Sequence, residues 1–345
     1  MLKKPKTGWS KRKKNKFQKF KHNINLLKFN SSANFVEKTI RFVIYFILKI
    51  SLKKYLKNEN EKTHSIVLET HKKLHSHEFA FIPSGFSLYL FMSFIPILSI
   101  ISSIGYINQE YNDTIHFVLG KIIPGIENII PNFFGKGGAL SKTDVFVGVI
   151  FIISAFWISS AGYSKFVQSN SILYEHKNLG NWARNRLKGL WIVICMTILL
   201  FLVFLMFVSF LAFLKKSAGY TFSDWQFSLT FYLILPFLIF SFFFVVYILL
   251  YHYAPLFRLK YAYVMPGVWI STIPTSIFVI IFGFLTSLFN YKKFGLISSF
   301  MYIELFLITM SYFTYTGVLI NATFYKTFIS TQTIDKKLDK MKKHS

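Results

Sequence analysis

The sequence predicts an all-α polytopic membrane protein with six transmembrane helices and an amphipathic interfacial helix before them. Of its 345 residues, 53% are hydrophobic and 19% aromatic, and the mean hydropathy is +0.44. The 40 Lys and Arg and the 14 Asp and Glu sit in tails and short connections, where a soluble domain would spread them along amphipathic elements. Residues 145–164 run for twenty positions without a charge, about what a helix needs to cross a hydrocarbon core of ~30 Å. The expected organisation is a basic cytoplasmic tail over 1–30, interfacial and juxtamembrane helices over 31–78, a membrane domain over 79–325 and a second basic tail over 326–345. The single cysteine, Cys195, excludes an intrachain disulfide and a multi-cysteine metal site.

Residues 1–30 are dense in Lys, carry no acid, and lack the apolar core and cleavage site of a signal peptide. Such a tail is drawn to anionic lipid headgroups. Trp9, Phe17 and Phe20 are interleaved with the bases, but no folded recognition module accompanies them, so no specific nucleic-acid partner is expected. In residues 35–54, Lys38, Arg41, Tyr45, Lys49 and Lys53 share one helical face, and the uncharged run covers only 42–48. That pattern suits a helix lying in the interface, with a spanning helix as the alternative. His71 and His75 stand at i, i+4, a spacing at which two imidazoles can share a metal. Lys72, however, holds the position where zinc hydrolases place Glu. A polar helix leading to the membrane is expected here, with no metal and no cofactor.

Six apolar spans follow, at about 80–105, 145–166, 189–214, 227–252, 262–289 and 295–325. Pro96 lies inside the first, where a proline kinks a membrane helix and frees a carbonyl for other donors. Residues 107–142 read as an external surface element with short helices broken at Pro124 and Pro131. In the second span, Gly148, Ala155, Ser159 and Gly162 follow at spacings of seven, four and three, and so fall on one side. Small residues on one face let a neighbouring helix approach closely, and in lipid it is packing that drives association. Pro255, Pro266, Gly267 and Gly295 mark turns or hinges.

Orientation follows from the basic residues. Segments 1–79, 167–188, 254–261 and 326–345 hold 32 Lys and Arg, against 7 in 107–142, 215–226 and 290–294. Both termini are therefore expected in the cytoplasm, with the chain in the plasma (inner) membrane. Asn170 and Tyr174 fall at the cytoplasmic exit of the second span. They either cap the helix and meet headgroups, or line a vestibule for an anionic headgroup together with Arg184, Arg186 and Arg258.

Glu304 is the one carboxylate well inside a span, nine residues after Gly295, so about 13 Å along a helix rising 1.5 Å per residue. An acid at that depth costs about 2.5–3.5 kcal/mol on insertion scales and turns inward. Burial there favours the neutral carboxyl, which can donate a hydrogen bond. Ser311 and Tyr315 follow on the same face. The stripe is either a substrate or proton path, or neutral interhelical glue, and a span boundary that sets Glu304 near the surface is the remaining reading.

Several segments in order resemble one family. They are Ser93-Phe94-Ile95-Pro96 after Tyr89, and Ser159-Ser160-Ala161-Gly162 leading to Asn170, Tyr174, Arg184 and Arg186. Tyr253-Ala254-Pro255, Met265-Pro266-Gly267, Phe294-Gly295 and Gly317-Val318-Leu319-Ile320-Asn321-Ala322 follow. Together these resemble the motifs of the YihY/BrkB family of six-span membrane proteins over roughly 80–325. The resemblance implies the six-span fold and assigns Gly317 and Asn321 to its last motif. Leu319 stands where the family commonly has Glu, and Phe306 where it has Trp. The family's historical ribonuclease label fits poorly, since no soluble domain carries paired carboxylates or His clusters for phosphodiester hydrolysis.

The spans contain no GxSxG, HExxH or carboxylate pair, and the chain has no nucleotide-binding P-loop. No enzymatic activity is expected. The reading is a transport-like protein that moves or gates a lipid or amphipathic substrate. The alternative is a membrane scaffold whose basic tail recruits a partner or anionic lipid.

Overall fold

A computed structural model describes residues 60–104, 113–115, 117–118, 142–219, 224–288, 295–330 and 333. The expected basic tail over 1–30, the interfacial helix over 35–54, most of the surface element over 107–142 and the C-terminal tail beyond Ser330, apart from Thr333, lie outside the described residues. The chain falls into two compact units, 1–68 and 69–345. The described part of the first is 60–68, the opening turns of helix α1.

The described elements are all helical: α1 (Asn60–Leu74), α2 (His77–Ile104), α3 (Lys142–Leu173), α4 (Trp182–Ala218), α5 (Trp225–Tyr253), α6 (Tyr261–Leu288) and α7 (Gly295–Phe328). No strand occurs among the described residues. The stretches Trp182–Ser217, Trp225–Tyr253, Tyr261–Leu285 and Met301–Phe328 are long and apolar enough to cross a membrane. Helices α2 and α3, of 28 and 32 residues, cover the segments expected for the first two spans. Outward side chains of α5 fit a hydrocarbon solvent: Leu233 and Phe237 are 70% and 74% exposed, a surface that water would penalise.

Helix ends follow local chemistry. Gly219, at φ 68°, closes α4 in the left-handed conformation that glycine adopts without strain. At the end of α3, the Glu175 N–H donates to Ile172 O (2.9 Å) and the His176 N–H to Ser171 O (2.8 Å). These two bonds form a Schellman turn. It places Glu175 at φ 53°, where a side chain is strained by roughly 1–2 kcal/mol.

Within the second unit the helices form two arms, α2–α3–α4 and α5–α6–α7, joined along α2 and α7. Helices α4 and α5 are consecutive in sequence yet touch only thinly. Small residues make the close crossings. Ala155, Ser159 and Ser160 are buried on α3, and a Cβ on Gly162 would run into Tyr89 of α2. The surroundings of the Gly148 side of α3 lie outside the described side chains. Gly189 of α4 packs against the Ser160 and Ser164 backbone of α3, and Gly267 of α6 against Gly317 of α7.

Candidate functional site

A cavity of about 280 Å³ opens within the helices of the second unit. Most of its lining comes from α4 and α5, among them Met196, Leu200, Val203, Leu238, Phe242 and Val246. Phe86 and Ser93 of α2, Tyr163 of α3, Val279 of α6 and Phe306 to Thr314 of α7 close the remaining sides. The wall is almost wholly hydrocarbon. Such a wall offers water too few partners to hold it, and suits an apolar ligand.

The polar edge of the cavity belongs to a hydroxyl network that joins α5, α6 and α7. Tyr247 Oη lies 2.9 Å from Thr275 Oγ1 and 3.3 Å from Thr314 Oγ1. Thr314 Oγ1 donates to Met310 O at 2.8 Å. One turn further, Tyr251 Oη donates to Thr314 O at 2.7 Å and lies 2.6 Å from Ser271 Oγ. Ser271 Oγ in turn donates to Phe313 O at 2.8 Å. The sequence reading missed this network. Its signal was the i, i+4 pairs Tyr247 with Tyr251 and Ser271 with Thr275, each placing two hydroxyls on one face. Beyond it, the Gly267 N–H donates to Asn321 Oδ1 at 2.6 Å, a bond reachable because neither Gly267 nor Gly317 carries a Cβ.

The stripe on α7 faces α2 and α3, away from the cavity lining. Ser311 Oγ donates to Pro83 O at 2.5 Å. Tyr315, 1% exposed, packs on Phe86 and Phe166 at ring distances of 5.6 and 5.4 Å, and its hydroxyl bonds Ser169. Glu304 Oε1 lies 2.9 Å from Ser87 Oγ, and that same hydroxyl lies 2.8 Å from Ser84 O. A carbonyl only accepts, and Ser87 has one hydroxyl proton. Ser87 therefore shares that proton between two acceptors, Ser84 O and Glu304 Oε1. Glu304 Oε2 is buried with no hydrogen-bond partner among the described residues.

At the cytoplasm-facing end of the sequence reading, the candidates separate into distinct contacts. Asn170 is buried and turns its Nδ2 back to Phe166 O at 2.8 Å. Tyr174, 3% exposed, packs on Phe257 and Tyr325 at 4.8 and 6.1 Å. Burial, with Tyr325 adding to it, pushes its phenol well up, so Tyr174 stays neutral. Arg186 donates to Trp157 O at 2.7 Å and lays its guanidinium 4.6 Å from the Trp157 ring centre, a cation–π contact. Arg184 is half-buried and Arg258 exposed. Lys188, which the sequence did not single out, donates to Pro255 O at 2.5 Å and ties α4 to the α5–α6 turn. Glu175 pairs with Lys326 of α7, and the Lys326 hydrogen bond, reinforced by its charge, holds the Glu175 carboxyl below its ordinary range. His176 Nδ1 lies 2.6 Å from Thr333 Oγ1.

Pro266 lies inside α6, Pro96 within α2, and Gly295 opens α7. The His71 and His75 rings lie 4.1 Å apart. Among the described residues, no three His, Cys, Asp or Glu side chains gather where they could hold a metal.

Residues 70–342 match a family model described as Virulence factor BrkB. Neither the comparison with curated proteins nor that with solved structures returned a match.

Proposed function

The chain belongs to the BrkB family, and from that premise and its apolar helices we propose that this integral membrane protein moves or gates a lipid or amphipathic substrate. The observation that carries the reading is the apolar cavity of about 280 Å³ set among helices able to cross a bilayer. An apolar hollow suits a ligand drawn from the membrane. In this reading α2 to α7 all cross the plasma membrane, with both termini in the cytoplasm, as the 32-to-7 bias of basic residues favours. Anionic headgroups are the partner expected at the cytoplasmic rim, near Arg184 and Arg258. The protein acts without covalent chemistry, and energy comes from an ion gradient, a partner or the substrate's own gradient.

The test is reconstitution of the purified chain into vesicles containing a fluorescent phospholipid, with a membrane-impermeant reductant added outside. Protein-dependent bleaching of inner-leaflet lipid supports the reading; bleaching equal to that of protein-free vesicles rejects it. The scaffold alternative draws on the acid-free basic tail over 1–30. It predicts strong binding to anionic vesicles with no lipid movement.

A further inference from the structure

We propose that the cavity holds a single acyl chain of a bilayer lipid, admitted sideways through the seam between α4 and α5, while the headgroup stays outside. This rests on the reading above and specifies which part of the substrate enters.

Three observations converge on it. The first is the seam: α4 and α5 touch thinly, although each packs closely on its other neighbour. The second is where the lining opens. Met196, Leu200 and Val203 of α4 and Leu235, Leu238, Phe242 and Val246 of α5 are partly exposed lining residues; on the other walls only Leu90, Tyr163 and Met310 are, and the rest of the lining is buried. Most of the partly exposed lining thus belongs to α4 and α5, the two helices that flank the thin seam.

The third observation is the state of the polar lining atoms. Ser93 Oγ donates to Tyr89 O at 2.8 Å, Thr314 Oγ1 donates to Met310 O, and Tyr247 Oη is held between Thr275 and Thr314. With these three groups already bonded to protein, the Tyr163 hydroxyl is the one further side-chain polar group on the lining, too little to offset the desolvation of a charged headgroup. A hydrocarbon chain loses nothing there. The cavity, at about 280 Å³, sits at the small end of ligand sites, which run from roughly 300 to 1,000 Å³. That leaves room for part of one chain and not for two.

The chain gains no hydrophobic free energy on entering, because lipid tails are as apolar as the wall. What it restores is the dispersion contact that an empty hollow forfeits. Binding is accordingly exchangeable and indifferent to the headgroup.

The full chain is reconstituted with two photoactivatable phospholipids, one bearing its diazirine near the methyl end of an acyl chain and the other on the headgroup. Crosslinked residues are read by mass spectrometry. The tail probe is expected to label Met196, Leu200, Leu238 and Phe242, and the head probe to leave them unlabelled. Val203→Trp, on the cavity side, should lower that labelling several-fold, while Leu202→Trp, on an outward position 54% exposed, should leave it unchanged. Should Val203→Trp fail to insert, excess unlabelled single-chain amphiphile competing with the probe on the native chain reads the same occupancy. Tail labelling confined to outward residues such as Met206 and Phe237, or equal labelling of the cavity by the head probe, overturns the proposal. Lipid movement with no tail in the cavity overturns this inference and leaves the proposed function. Tail labelling without lipid movement does the reverse.

Discussion

Gly267→Ala probes the crossing of α6 and α7 with the smallest change a side chain allows. The new Cβ would collide with the Gly317 carbonyl oxygen and the Asn321 amide group. One of these is backbone of a packed helix, so a side-chain rotation cannot relieve the contact; the helices must separate. Forcing a group into a filled interface costs about 1–3 kcal/mol. Separation also breaks the 2.6 Å bond from the Gly267 N–H to Asn321 Oδ1, and leaving a buried partner unsatisfied costs a further ~1–3 kcal/mol. Replacing glycine by alanine within a helix returns about 1 kcal/mol. The net expectation is a loss of about 3 kcal/mol, an estimate from those same packing and bonding ranges. Gly85→Ala is the matched control, since no heavy atom lies within 4 Å of its new Cβ; it should be neutral or stabilising by up to ~1 kcal/mol. Both are read by unfolding in mixed micelles with increasing denaturing detergent, followed by circular dichroism. Equal midpoints for the two variants would refute the crossing.

Glu304→Gln keeps an oxygen that accepts from Ser87 and should stay within about 0.5 kcal/mol of the native chain, while Glu304→Leu removes that acceptor and should cost ~1–3 kcal/mol in the same titration; a Gln variant as damaged as Leu would refute the contact. The Glu175 carboxyl, lowered by its bond to Lys326, contributes at neutral pH and loses that contribution as pH falls through its folded-state value. Because the side chain is 69% exposed, the loss should be no more than ~1 kcal/mol and absent in Glu175→Gln. At the same position, glycine relieves the φ of 53°, so Glu175→Gly should exceed Glu175→Ala in stability by about 1 kcal/mol. Single cysteines at Asn112 and Lys216, in a Cys195→Ser background, should react with an impermeant thiol reagent from outside, and ones at Asn178 and Ser330 should not; the reverse pattern would invert the topology.

Local pattern made much of this legible. The small-residue face of α3 could be read because close helix approach in lipid requires small side chains at helical spacing, and Ser159 and Gly162 lie at such contacts. The inward turn of Glu304 was readable because a carboxyl in lipid has few alternatives. Its partner was not, since Ser87 lies 217 positions earlier and nothing local couples the two. Arg186 illustrates a different limit. Its charge suggested a headgroup site, whereas its guanidinium lies against an aromatic ring on the neighbouring helix. The cavity was invisible for a stronger reason. It arises from the spacing between α4 and α5, and leucine, valine and phenylalanine read the same in sequence whether they face a neighbour, a lipid or a hollow.

The most direct measurement is lipid movement by Val203→Trp and Leu202→Trp in reconstituted vesicles, side by side at equal protein density. One side chain points into the cavity and the other lies outward on the same turn of α4. If the hollow is the working site, the first variant slows lipid movement several-fold and the second matches the native chain. Equal rates for all three would show that the cavity takes no part.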